Sequence, residues 1–248
     1  MTLQEFFSQH PRVALAFSGG VDSAYLLYSA VQAGVKVRAY YVKSAFQPQF
    51  ELEDAVRLAE QLGADLKILP VDALCNEKVV ENPKDRCYYC KQGIFGAILK
   101  AAAADGFREI MDGTNASDDS GDRPGMRALQ EMQVLSPLRI CGLTKDRIRE
   151  KSREAGLFTW DKPAYACLAT RIPTGEPITE EKLQRTELAE GYLFSQGFRD
   201  FRVRSMGNSA KLQLRQEQLP LLLEKREIIF KTLKQYYDSV VLDLEVRK

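Results

Sequence analysis

The segment Val13-Ala14-Leu15-Ala16-Phe17-Ser18-Gly19-Gly20-Val21-Asp22-Ser23 decides the fold. Its first five residues form a short unbroken apolar run, the pattern of a strand buried on both faces of a parallel sheet. Ser18-Gly19-Gly20 ends that run, and Val21–Gln32 reads as a helix that Gly34 stops. A Gly-rich turn between strand and helix is a phosphate cradle. Glycines permit the tight path, successive N–H groups face the oxygens, and the helix N-terminus adds positive partial charge. Ser18 and Ser23 offer hydroxyl donors. Asp22 would repel a bare phosphate, so it is expected to hold a Mg²⁺ that bridges phosphates. The lysine of a Walker loop is absent.

Outward from this segment the pattern alternates. Val35–Val42 is a second strand, Glu51–Leu62 a helix closed by Gly63, and Asp65–Val71 a third strand. Lys91–Ala104 is helical, Glu109–Met111 a short strand, and Thr144–Ala155 a helix. Alternation at this spacing implies βαβ units, so the fold class is α/β, a mainly parallel sheet with helices on both faces. The short strand leads into Asp112-Gly113-Thr114-Asn115. Ligands of open α/β sheets sit beyond the carboxyl ends of strands, so Gly113 and Thr114 are expected to face the same nucleotide as the first loop.

The pattern changes near Pro173-Thr174-Gly175. Thr179 reads as the N-cap of a helix running to about Gln196, without a capping box because Lys182 stands at N3. Phe201–Arg204 and Lys211–Arg215 alternate as strands around a Gly207-Asn208 hairpin turn. Leu219–Tyr236 reads as one helix and Val240–Leu244 as a last strand. The expected division is therefore a nucleotide-binding domain over 1–172 and a smaller α+β domain over 173–248 for substrate binding and oligomerisation, with the linker at 172–178.

Composition narrows the function classes. The 248 residues carry 35 Lys+Arg and 34 Asp+Glu, a net charge of +1, which disfavours a broad nucleic-acid footprint. No apolar run approaches the roughly 18–20 residues of a membrane span. The start Met1-Thr2-Leu3-Gln4-Glu5 lacks the basic region of a signal peptide, so a cytoplasmic location is expected. The single histidine, His10, excludes a multi-histidine metal site and argues against a Ser-His-Asp triad.

Five cysteines without an export signal point to reactive or metal-bound thiols. Cys87-Tyr88-Tyr89-Cys90 is a CxxC, expected to present both sulfurs from a tight turn, and Cys167 is a third thiol. Three thiolates leave one coordination position open. A redox pair, a zinc site and a four-iron cluster all suit that set. Cys75 and Cys141 read as small buried apolar residues. Arg202 and Arg204 lie two apart on a strand, share a face, and can grip phosphate bidentately. The plainer reading is a solvated charged strand. Arg171, near Cys167, is another candidate for an anion.

Ser18–Ser23 followed by the Gly113-Thr114-Asn115 loop resembles the PP-loop ATP pyrophosphatase superfamily. The segments Asn82–Lys91, Asp112–Asp119 continuing through Arg123-Pro124-Gly125, Ser136-Pro137-Leu138 and Trp160–Arg171 resemble the ATP-dependent sulfur transferases of the LarE type. That resemblance implies an enzyme that adenylates a carboxylate of pyridinium-3,5-biscarboxylic acid mononucleotide. Pyrophosphate is released, and sulfur is then installed in the synthesis of the nickel-pincer nucleotide cofactor. It implies ATP and Mg²⁺, and it places Cys87, Cys90 and Cys167 with a subtype whose three cysteines hold a 4Fe-4S cluster. It further implies that Glu190 is an active-site carboxylate, that Arg202 and Arg204 contact the substrate phosphate, that a sulfide or persulfide donor supplies the sulfur, and that the chain forms a homo-oligomer. After Leu242-Asp243-Leu244 the sequence departs from the Gly, Arg and Ser usual in that family. A tRNA thiolation enzyme and a non-catalytic nucleotide sensor are the competing readings. The first predicts a basic surface, and the second predicts ATP binding without pyrophosphate release.

Overall fold

The computed structural model describes residues 1–118 and 124–247, so Asp119 and Arg123 of the motifs above lie outside the described residues. The chain divides into two compact units, Met1–Ala73 with Asp85–Lys162, and Leu74–Lys84 with Pro163–Lys248. The boundary thus falls at 162/163, earlier than the 172/173 read from the Pro-Gly turn, and an eleven-residue excursion joins the second unit. The reason is visible at Asn82. Its side-chain amide donates to the carbonyls of Ile172 at 3.4 Å, Pro173 at 2.7 Å and Glu176 at 3.1 Å, tying the excursion to the turn taken for a linker.

The first unit holds α1 (Leu3–Gln9), β1 (Arg12–Ala16), α2 (Val21–Gln32), β2 (Lys36–Lys43), α3 (Gln49–Leu62) and β3 (Asp65–Pro70). The chain leaves for the second unit through α4 (Glu77–Val80) and returns with α5 (Arg86–Ala104), β4 (Ile110–Met111), α6 (Pro124–Glu131), α7 (Pro137–Ile140) and α8 (Lys145–Glu154). All four strands run parallel in the order β3-β2-β1-β4. Alternation along the strands feeds two cores. Val13, Leu15 and Tyr41 pack with α2, α3 and α8 on one face, while Ala14, Tyr40 and Val42 pack with α5 and Leu129 of α6 on the other. Each fully buried Leu or Val contributes roughly 1.5–3 kcal/mol relative to exposure. The strand order reverses direction between β1 and β4, which is where a doubly wound sheet opens a crevice.

The second unit holds α9 (Glu180–Ser195), β5 (Arg202–Met206), β6 (Ser209–Gln213), α10 (Leu219–Glu224), α11 (Arg226–Leu233) and β7 (Ser239–Leu242). The sheet order is β5-β6-β7, with β5 and β6 antiparallel across the Gly207-Asn208 turn. Thr179 caps α9 by accepting from the Lys182 amide. The expected single helix over 219–236 is instead two, broken at Lys225. Leu193, Phe198, Phe201, Val203, Leu212 and Leu233 form the core. No helix among the described residues is long and apolar enough to cross a membrane.

Candidate active site

The loop after β1 is built by its own hydroxyls. The Ser18 hydroxyl lies 3.0 Å from that of Ser23, the Ser23 hydroxyl donates to the Gly20 carbonyl, and Gly20 N–H donates to Ser18 Oγ. Gly19 has φ +72°, and a Cβ there would stand 3.2 Å from Ala55 Cβ of α3, so both conformation and space favour glycine. Gly20 occupies the N-cap position of α2. The geometry matches a turn whose amides open toward an anion.

The loop after β4 meets the same place. A Cβ on Gly113 would fall 2.9 Å from the Ser23 backbone nitrogen, so the second loop lies directly on the start of α2. Asp112 organises it, accepting from Thr114 N–H at 3.2 Å, the Thr114 hydroxyl at 2.6 Å and Ser136 at 2.8 Å. The Thr114 hydroxyl therefore donates inward. Ser18, Gly19, Gly20, Asp22, Ser23, Gly113 and Thr114 are brought together in the first unit.

Asp22, at the start of α2, is paired with the Lys145 ammonium and receives the Asn115 amide at 3.4 Å. A Mg²⁺ carried largely by phosphate and water needs about one carboxylate from the protein, which Asp22 offers. No local sequence signal marks Lys145, because its partner is 123 residues away.

Cys87 and Cys90 sit in the first two turns of α5, which begins at Arg86 rather than Lys91. The expected tight turn is therefore a helix, and i,i+3 spacing puts both sulfurs on one face. Cys87 is exposed, with the Arg86 guanidinium 3.9 Å from its sulfur. A helix N-terminus beside an arginine suits thiolate ligands. Lys91, which sequence reasoning passed over, follows Cys90 on the same helix. Burial lowers its pKa, while Asp112, Cys87, Asp118 and Cys90 act in the opposite sense. The usable signal was its i+4 offset from Cys87.

Cys167 belongs to the second unit, at the N-cap of a short 3₁₀ turn over Leu168–Arg171. Among the described residues no group of three or more His, Cys, Asp or Glu side chains is placed to hold a metal ion. The CxxC pair on one face of α5 fits two corners of a thiolate site.

Arginines hold the Cys167 segment. Arg171 donates from Nε to Glu190 at 2.8 Å, from Nη2 to Glu190 at 3.1 Å, and from Nη1 to the Ala166 carbonyl at 2.9 Å and Thr170 Oγ1 at 2.7 Å. Arg202 donates to the Ala164 carbonyl at 2.7 Å and Arg204 to the Thr170 carbonyl at 2.8 Å. Glu190 also accepts from the Tyr165 hydroxyl and from Val203 N–H. The side chains of Arg171 and Glu190 are 0% and 2% exposed. Arg171 Nε, Nη1 and Nη2 all donate inside the unit, so Arg171 ties the loop together, with Glu190 as its carboxylate acceptor.

Positive charge is in excess around β5. Burial, then Arg171 and Arg247, push Arg202 down to about 10, and the same causes lower Arg204. Arg202 is 6% exposed and Arg204 is half-buried, so Arg204 is the more accessible. Arg247 near the chain's end docks on Asp200 at 3.0 Å, giving the divergent tail a structural role. Cys75 and Cys141, expected to be buried, are exposed and half-buried. Cys75 lies in the short excursion, outside either core.

No family model matches the chain. An uncharacterized protein of Synechocystis is 36% identical, with 98% of this chain and 92% of that one covered. The pyridinium-3,5-bisthiocarboxylic acid mononucleotide synthase of Lactiplantibacillus plantarum is 33% identical over 82% of this chain and 74% of its own. The tRNA-specific 2-thiouridylase of a Thermotoga species is 26% identical over 75% of this chain and 63% of its own.

Proposed function

The chain belongs to the PP-loop sulfurtransferases related to pyridinium-3,5-bisthiocarboxylic acid mononucleotide synthase, and from that premise we propose that it thiolates a carboxylate at the expense of ATP. The substrate in this reading is pyridinium-3,5-biscarboxylic acid mononucleotide, on the route to the nickel-pincer nucleotide cofactor. The observation that supports it is the joining of two glycine loops at the sheet's switch point in the unit that also carries Cys87 and Cys90. The thiouridylase likeness is lower and covers less of that relative's length.

The chemistry runs in two stages. A substrate carboxylate oxygen attacks the α-phosphorus of ATP, the α–β bridging bond breaks, and pyrophosphate leaves. The amides of Ser18–Gly20 and the start of α2 take the charge that develops on the phosphates. Asp22 would hold Mg²⁺, which would neutralise phosphate charge. A sulfur nucleophile then attacks the acyl carbon, and collapse of the tetrahedral adduct expels AMP and leaves a thiocarboxylate. Arg204, with Arg202 behind it, supplies positive charge for the substrate phosphate.

In this proposal Cys87, Cys90 and Cys167 would hold a 4Fe-4S cluster, which would supply the sulfide. Iron and acid-labile sulfide in anaerobically purified protein, and pyrophosphate release in Cys→Ala variants, test this. Each variant is expected to keep adenylation and lose sulfur transfer. A triple variant that still thiolates substrate would falsify the thiol assignment.

A further inference from the structure

Residues 156–162 follow α8 as turns rather than helix or strand, yet they are tied along one stripe of α3. Gln61 donates from Nε2 to the Gly156 carbonyl at 3.2 Å. Arg57 Cζ lies 4.3 Å from the Phe158 ring centroid. The Lys162 ammonium lies 2.6 Å from Asp54 Oδ2 and 3.2 Å from Glu51 Oε2. Glu51, Asp54, Arg57 and Gln61 follow one another at spacings of three or four, so they share one face of the helix. The strap therefore runs along α3 from its last turn to its first, and Lys162 is its end. From the other side α8 holds the same strap: Arg149 donates to the carbonyls of Trp160 and, at 2.8 Å, Lys162. All of these residues lie in the first unit.

The first turns of α3 are also the wall of the phosphate loop. A Cβ on Gly19 would meet Ala55 Cβ at 3.2 Å and the Glu51 carbonyl at 3.4 Å. Gly19 has no side chain with which to hold its own place, so the path of the loop depends on where α3 stands. Glu51 itself is buried, and its Oε1 has no hydrogen-bond partner among the described residues. Burial pushes its carboxyl up, the Lys162 ammonium opposes that shift, and Asp54 adds to it. Without the lysine the carboxylate would be buried with no cation beside it. The cheapest relief is movement toward water, which carries the first turns of α3 away from Gly19.

We propose that Lys162 is a positioning residue: by holding Glu51 and Asp54 at the end of this strap, it fixes the wall against which the phosphate loop is packed. The proposal deepens the reading of that loop as an ATP site and rests on it for the identity of the ligand. Lys162 acts through α3 and Gly19, and its loss is felt at nucleotide binding.

The experiment uses the full chain and two readouts: deuterium uptake of residues 18–23 without ligand, and calorimetric binding of ATP with Mg²⁺. Lys162→Met is expected to speed uptake in the loop and to weaken ATP binding about tenfold, the scale of one lost charged hydrogen bond. Lys162→Arg keeps both at wild-type values. Adding Glu51→Gln to Lys162→Met recovers most of the loss, because no uncompensated charge is left buried. Asp54→Asn, a milder change that leaves Glu51 paired, shifts both readouts the same way but less. Arg57→Ala loosens the strap far from Gly19, so it lowers the unfolding temperature and leaves loop uptake and ATP binding unchanged. Wild-type uptake in both Lys162→Met and Asp54→Asn overturns the proposal, as does an Arg57→Ala variant that disturbs the loop equally. Faster loop uptake in Lys162→Met, beside a wild-type chain that binds no ATP, counts against the nucleotide reading and leaves the positioning role standing.

Discussion

Replacing Glu190 by glutamine separates a structural carboxylate from a catalytic one. Glu190 accepts from two nitrogens of Arg171, from the Tyr165 hydroxyl and from Val203 N–H, and both ion-pair partners are almost fully buried. Removing one partner of a buried pair costs about 3–5 kcal/mol, because the other charge is left uncompensated. Glutamine keeps one carbonyl acceptor, which places the loss near the lower end, about 3 kcal/mol. Neighbouring Arg202 and Arg247 raise the cost of an orphaned Arg171 rather than relieve it. Urea unfolding followed by far-ultraviolet circular dichroism reads the change. The companion variants are Arg171→Met and the double substitution. Removing both charges together is expected to cost less than the sum of the singles by about 2 kcal/mol. Glu190→Gln within about 0.5 kcal/mol of wild type would refute the reasoning, since a change that small is what exposed surface sites show.

Gly113→Ala forces a methyl to 2.9 Å from the Ser23 nitrogen, so it is expected to cost about 1–3 kcal/mol and to weaken ATP binding, measured by thermal melting and calorimetry. Arg204→Met is expected to raise the KM of a phosphate-bearing substrate about tenfold or more, from the loss of a charged hydrogen bond, with the KM for ATP unchanged in steady-state assays. Asp105 is held down to about 2 by hydrogen bonds from Lys67 and Tyr40. A depressed carboxylate stabilises the fold fully above its unfolded value near 3.8 and loses that contribution as pH falls through about 2. Asp105→Asn should therefore flatten the acid limb of the stability–pH curve between those values, and an unchanged limb would contradict the assignment.

The sheet and the phosphate loop were legible because both are local. Val13–Phe17 is apolar without a break, Ser18-Gly19-Gly20 follows at once, and Val21–Gln32 was placed with its bounds intact. The Gly207-Asn208 hairpin and the Thr179 cap were readable for the same reason. What escaped is partly local and partly dependent on partners remote in sequence. The Thr2–Glu5 capping box that starts α1 was available as a T-x-x-E signature and was passed over. The start of α5 at Arg86 was hidden because Cys-Tyr-Tyr-Cys has neither strong helix propensity nor apolar period. The excursion over 74–84 could not be read because Asn82 binds residues about ninety positions on. At the site, Ser18, Gly19, Gly20, Ser23 and Gly113 could be chosen from spacing, whereas the Arg171–Glu190 lock could not. An arginine that binds a ligand and one that binds a buried carboxylate look alike in a sequence.

The most direct measurement incubates anaerobically purified protein with ATP, Mg²⁺, a sulfide source and the dicarboxylated pyridinium mononucleotide, and follows pyrophosphate and product mass together. The account predicts one pyrophosphate and one AMP for each oxygen exchanged for sulfur, with no exchange when ATP is withheld. Pyrophosphate release with the carboxylate returned unchanged, or thiolation that proceeds without ATP, would contradict it.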